Sequence, residues 1–139
     1  MAKRVVVTGM GVIPPTGNDV PTFWNNLVNG VCGIDYIQEF PTENLPVRIA
    51  GKVKDFHPEN YGMDKGFSRK QDLFTQYGVA AAYEAMNQAG LIAEGEGQNI
   101  DPFRLGVYVG SGIGGFEIQY RETAKMIEDP SGQWISPLF

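Results

Sequence analysis

The run GVYVGSGIGGF, from Gly106 to Phe116, places Gly110, Gly112 and Gly115 in the spacing G-x-G-x-x-G. Between a strand and a helix, that spacing lets backbone N–H groups approach a dinucleotide pyrophosphate. The same reading requires a second strand with an acid at its end, about 20 residues on. Here residues 116–128 have helical spacing and run into Asp129-Pro130-Ser131-Gly132, a turn signal. Glu128 and Asp129 therefore stand at a helix end, which argues against a nucleotide. No Gly-Lys-Ser/Thr follows the loop, so a P-loop is excluded.

Nucleophilic chemistry has few candidates. Cys32 lies in NGVCGID, just past a helix end, and the single histidine, His57, precedes Pro58 in a polar stretch. A thiolate nucleophile needs a base or a cationic neighbour, and no motif joins these two. One His and one Cys leave only carboxylates to complete a metal shell. Ser111 and Ser136 have no evident base. The residues alone present no complete catalytic set and no metal site.

The 139 residues are enough for one ordinary domain. With 42% hydrophobic and 19% charged residues the composition is globular, and no stretch approaches the roughly 18 apolar residues of a membrane span. After Met-Ala-Lys-Arg, three valines reach Thr8, too short for a signal-peptide core, so a cytoplasmic location is expected. One cysteine excludes an internal disulfide framework and fits a reducing compartment. The net charge is −5, yet residues 48–70 hold six basic and three acidic side chains, leaving −8 elsewhere. Such a balance disfavours general nucleic-acid binding. The basic segment either docks an acidic partner or is an ordinary solvated face.

These residues need elements to position them. Lys3 to Ile13 carries three consecutive valines and reads as a strand covered on both faces. Gly9 and Gly11 either admit a close neighbour or mark a bulge. Asn18 or Asp19 caps the next helix, with Pro21 in its first turn and Gly30 at its end. Its Phe23 and Trp24 read as core. Val47 to Phe56 is a short strand pair or an extended surface segment. Ser68 to Gly90 reads as one long buried helix lying flat on a sheet, opened by a Ser68–Gln71 capping box. Gly78 within it marks a place where another backbone packs close. Glu94 to Asp101 reads as a loop, Arg104 to Ser111 as a strand and Phe116 to Glu128 as a helix. Strands alternating with helices imply an α/β layered architecture. Two confident strands are too few for a stable sheet, and WISPLF ends abruptly. The chain is therefore expected to be an N-terminal portion of a larger protein.

Taken together, RVVVTGMGVIPPTGN, SRKQDLFTQYGVAAAYEAM, GVYVGSGIGG and ISPLF resemble the β-ketoacyl-acyl-carrier-protein synthases, most closely the elongating synthase II type. The likeness covers the whole chain in order. It implies a thiolase-like layered α/β fold, of which residues 1–139 form only the first part of the N-terminal half, a partial domain. It implies a homodimer that condenses an acyl thioester with malonyl-acyl-carrier protein, with loss of CO2 and without a cofactor. The family's catalytic cysteine, two histidines and lysine lie beyond residue 139, and Cys32 and His57 match none of them. No catalytic residue is therefore assigned, and the 139-residue chain alone is expected to be inactive.

The resemblance also implies noncatalytic roles. Ile113 matches the isoleucine lining the family's acyl-chain pocket. Phe139 matches an aromatic that reaches that pocket across the dimer, and Leu138 replaces a commoner aromatic. Lys65, Arg69 and Lys70 match basic residues that meet the acidic carrier protein. No nucleic acid, metal or membrane enters this reading. One alternative is a noncatalytic partner of a condensing enzyme, similar to a chain-length factor or a decoy. Another is a free-standing ligand-binding α/β domain, which would need a soluble monomer that unfolds cooperatively.

Overall fold

In a computed structural model, which describes residues 3–92, 101–133 and 135, most of the regular structure is helical. Helix α1 spans Val20–Val28, strands β1 and β2 span Ile34–Tyr36 and Ile49–Gly51, and a 3₁₀ turn covers Pro58–Tyr61. Helices α2 (Lys65–Lys70) and α3 (Leu73–Gln88) follow, then a second 3₁₀ turn at Pro102–Arg104 and helix α4 at Phe116–Glu128.

The locally capped helices form as their end signals require. Asp19 Oδ1 accepts the Thr22 N–H at 2.7 Å, and Pro21 occupies the first turn of α1. Gly30, at φ 70°, donates to the Leu27 carbonyl at 3.1 Å just past the helix. Helix α4 opens at Gly115 (φ 75°) and ends at Asp129. There the Gly132 N–H reaches the Asp129 carbonyl at 3.2 Å, closing the expected turn.

The single helix expected from Ser68 is two helices. Asp64 starts α2, its Oδ1 accepting the Phe67 N–H at 2.7 Å. Ser68 thus lies inside α2, where its hydroxyl donates to the Asp64 carbonyl, and no capping box forms. Gln71 is extended (φ −103°, ψ 142°) and breaks the run. The buried Gln76 amide donates to the Ser68 and Gln71 carbonyls, both at 2.9 Å, satisfying acceptors freed at the α2 terminus. At the other end of α3, Gly90 (φ 71°) allows the Leu91 N–H to return to the Met86 carbonyl at 2.8 Å.

The two expected strands form no ladder among the described residues. In the first, helix α3 takes the place of a neighbouring strand. The Met10 N–H donates to Gln88 Oε1 at 2.7 Å and the Val12 N–H to Glu84 Oε2 at 2.9 Å. The other Glu84 oxygen accepts the Val20 N–H at 2.6 Å, so one carboxylate fastens this segment and the start of α1 to α3. Gly9 and Gly11 face that helix. A Cβ on Gly9 would lie 2.9 Å from the Ala85 carbonyl carbon, and one on Gly11 2.8 Å from that of Ala81, with each carbonyl oxygen closer still. Of the two readings of this pair, close approach is the one realised. Among the described residues the close contact expected at Gly78 is not made, for a Cβ there would meet none of them within 4 Å.

Residues 104–111 are likewise unpaired, with Val107, Tyr108 and Val109 exposed. An apolar run stays uncovered unless another layer meets it, and the described residues supply none here. Trp24, read as core, is also exposed, at 63%. The strands that do pair are β1 and β2, antiparallel, with Ile34 opposite Gly51 and Tyr36 opposite Ile49. Val47 to Phe56 thus supplies one strand rather than a strand pair, and its partner comes from Ile34–Tyr36.

The packed part of the molecule lies against α3. Met63 and Ala80 are buried, and Phe56, Tyr61, Tyr77 and Tyr83 form an aromatic cluster. Phe56 and Tyr77 meet edge to face with centroids 4.8 Å apart. The Tyr61 hydroxyl donates to the Asn18 carbonyl at 2.7 Å. Burial pushes the Tyr61 and Tyr77 hydroxyls above the ordinary tyrosine range.

Candidate functional site

The basic segment divides into two unlike halves. Around the hairpin its cations are engaged locally. Arg48 donates to the Glu43 carbonyl at 2.6 Å, Lys52 pairs with Glu39, and Lys54 lies 3.6 Å from Asp35. Lys65, Arg69 and Lys70 all lie on α2, all exposed, and none forms an ion pair among the described residues. Lys65 and Arg69 are four apart and share one helix face, where like charges repel. Arg69 and Lys70 sit in the last turn, where cations suit the helix dipole. Arg48 apart, whose guanidinium meets only backbone carbonyls, the cations of this segment without an ion pair among the described residues all lie on one six-residue helix.

Sequence reasoning missed a neighbour of that helix. Arg69 and Arg121, the latter on α4, line one cavity of about 220 Å³ together with Asp72 and Glu117. Arg121 leans on the buried Glu122 carboxylate, Nε to Oε1 3.3 Å, which also receives Lys125 Nζ at 2.8 Å. No signal in the linear order links positions 69 and 121, since separate helices carry them.

The glycine loop leads into α4. Ile113 is 86% exposed, and Gly106, Gly110 and Gly112 have no neighbour within 4 Å of where a Cβ would stand. Gly114 is different: a Cβ there would lie 2.6 Å from Cζ of Phe74. The loop therefore rests on the first turn of α3 and presents Ile113 outward. Phe139, the other expected pocket residue, lies outside the described residues, as do Leu138, Ser136 and the loop expected at residues 94–100. The structure does not bring Ile113 together with Lys65, Arg69 or Lys70 in either cavity described here.

A second cavity, of about 770 Å³, lies under the hairpin against Tyr77. Its walls include the Lys52–Glu39 and Lys54–Asp35 pairs, so its charges largely cancel. Cys32 is exposed, with its Sγ 3.8 Å from the Ile34 carbonyl. His57 is turned to Glu59, Nδ1 to Oε1 3.5 Å. Neither side chain hydrogen-bonds the other. Among the described residues no three metal-ligating side chains gather, and no helix is long and apolar enough to cross a membrane.

Comparison with known proteins gives these features a common setting. The family model described as "Beta-ketoacyl synthase, N-terminal domain" matches residues 2–139. The 3-oxoacyl-[acyl-carrier-protein] synthase 2 of Staphylococcus aureus (strain COL) is 44% identical over 138 residues, covering 99% of this chain and 32% of its own. The protein of that name from Vibrio cholerae serotype O1 is 44% identical over 137 residues, again 99% of this chain and 32% of its own. A solved structure, the ishigamide ketosynthase/chain length factor, is similar with a TM-score of 0.70 and 27% identity. That likeness covers 95% of this chain and 32% of the other. The chain thus spans about a third of the length of the relatives it matches. With a ketosynthase-like fold and a family match over nearly every residue, the chain belongs to the β-ketoacyl synthase family, in its N-terminal domain.

Proposed function

We propose that this chain supplies part of a 3-oxoacyl-acyl-carrier-protein synthase that elongates fatty acids in the cytoplasm. The reaction joins an acyl thioester to malonyl-acyl-carrier protein with loss of CO2. The observation that carries this reading is 44% identity across 99% of the chain to proteins named for that activity. In this reading residues 1–139 are the first part of the N-terminal half of a thiolase-like homodimer.

The chain's own residues serve binding. Ile113, exposed on its loop, and Phe139 contact the acyl chain. Lys65, Arg69 and Lys70 attract the acidic carrier protein, a role suited to cations with no internal partner. Opposite charge on two partners speeds their encounter and fixes their orientation. Acyl transfer to a thiol requires a thiolate with a depressed pKa and donors for the thioester oxygen. Cys32, exposed and directed to the Ile34 carbonyl, matches no nucleophile of the family and is not given that role.

The test is intact mass after incubation with acyl-carrier protein bearing a fatty acyl group. The 139-residue chain should gain no acyl mass and release no CO2 from malonyl-carrier protein. A full-length synthase carrying this segment should do both. An acyl adduct on Cys32 would overturn the assignment of binding roles alone.

A second reading is a noncatalytic partner. It is favoured by the solved relative whose title couples a ketosynthase with a chain length factor. Such a partner at full length would dimerise with a synthase yet gain no acyl mass itself.

A further inference from the structure

We propose that Asp72 and Phe74, on the first turn of α3, are positioning residues that seat the glycine loop and so set where Ile113 meets an acyl chain. The proposal rests on the acyl-pocket role given to Ile113 above. Helix α4 begins at Gly115, which has no side chain to accept the N–H groups of the first turn. Asp72 provides that acceptor from another helix: its Oδ2 receives the Ile118 N–H at 3.3 Å. Asp72 precedes α3 in the position of a cap, yet its side chain makes no capping bond to its own helix. Its carboxylate is committed across space instead.

Phe74 adds a steric stop. Its ring lies where a side chain on Gly114 would have to stand, 2.6 Å from Cζ to the added Cβ, and it also borders Gly115. Ile113 is bonded directly to Gly114 and is 86% exposed, so its own packing fixes it little. Its place follows from the two contacts that come just after it in the chain, one polar and one apolar, and both are made by the start of α3. That turn is itself held to α2 by the buried Gln76, through the Ser68 and Gln71 carbonyls.

The experiment uses the full-length synthase carrying this segment and reads kcat/KM for a long against a short acyl-carrier-protein substrate. Asp72→Ala should change the long-to-short ratio by about tenfold, the lower end of the scale on which a pocket reads one methylene. Asp72→Asn, which keeps an oxygen for the Ile118 N–H, should restore the ratio. Gly114→Ala should shift it as well, and so should Phe74→Ala, which removes the ring that the loop rests on. This second pair decides the matter if Asp72→Ala does not fold. A merely structural role would lower both rates together and leave the ratio fixed, and that result overturns the proposal. Ile113→Ala separates the two levels. If it shifts the ratio while the Asp72 and Gly114 variants do not, the positioning role alone fails. If Ile113→Ala itself leaves the ratio unchanged, the acyl-pocket reading fails and the proposal falls with it.

Discussion

Two Gly-x-Gly pairs lie in this chain, and they do opposite things. Gly9 and Gly11 are pressed against Ala85 and Ala81 of α3, leaving no room for a methyl group. Gly110 and Gly112 have open space around them. The first pair is required by packing within the chain. The second meets no such partner among the described residues, which suits a loop whose neighbours are a ligand or another part of the assembly. A glycine spacing therefore identifies a backbone kept bare without saying what it is kept bare for.

The sharpest way to break this contrast is alanine at each pair, read by denaturant unfolding of the full-length synthase carrying the segment. Gly11→Ala should cost about 3 kcal/mol, at the upper end of overpacking penalties, because rigid helix backbone must move. Gly110→Ala and Gly112→Ala should cost clearly less, because no backbone among the described residues stands where their methyl groups would lie. Equal losses at the two pairs would end the distinction.

Glu84→Ala probes the packed side next. It leaves the Val12 and Val20 N–H groups without their shared acceptor, for a loss of about 2 kcal/mol in the same unfolding measurement. A change below about 0.5 kcal/mol would show that water replaces the carboxylate, as at an ordinary surface site.

On the open side, Arg69→Glu should weaken carrier-protein binding about tenfold at low salt, with the gap closing at high salt as exposed charges are screened. Titration calorimetry at two ionic strengths checks it. Lys54→Glu, at a cation already paired with Asp35, should do less. A salt-independent effect at Arg69 would remove the charge argument for α2.

The smallest effect sharpens the packed side again. Tyr61 and Tyr77 have hydroxyls raised above the ordinary tyrosine value of 10.0, chiefly by burial. The folded state then holds these protons more tightly than the unfolded chain does. Their contribution is complete below pH 10 and is lost as the pH rises through the raised values. Ultraviolet titration should show two tyrosines ionising late, and Phe56→Ala, which opens their cluster, should bring at least Tyr77 back toward the ordinary range.

Helices α1 and α4 were legible because their end signals are local: Asp19 with Pro21, Gly30, and the turn after Asp129. The gap between α2 and α3 was not, since the Ser68–Gln71 spacing imitates a cap while Asp64 supplies the real one. The two valine-rich runs have strand composition, but a ladder needs a partner, and α3 side chains met the first run instead. At the site, the cations of α2 were visible as charge. Their difference from Arg48, Lys52 and Lys54 depends on which acceptors the hairpin brings near. The tie from Asp72 to Ile118 crosses 46 positions and carries no local signature.

The Glu84 carboxylate also has a consequence in time. Its two backbone partners precede it by 72 and 64 residues. A ribosome adding roughly 5 to 20 residues per second needs about 3 to 14 seconds to cover that distance. For whatever part of that interval Val12 and Val20 are outside the exit tunnel, the side chain that fastens them does not yet exist. A segment made before α3 is thus locked only after it, and its neighbouring valines are open meanwhile to whatever apolar surface a chaperone offers.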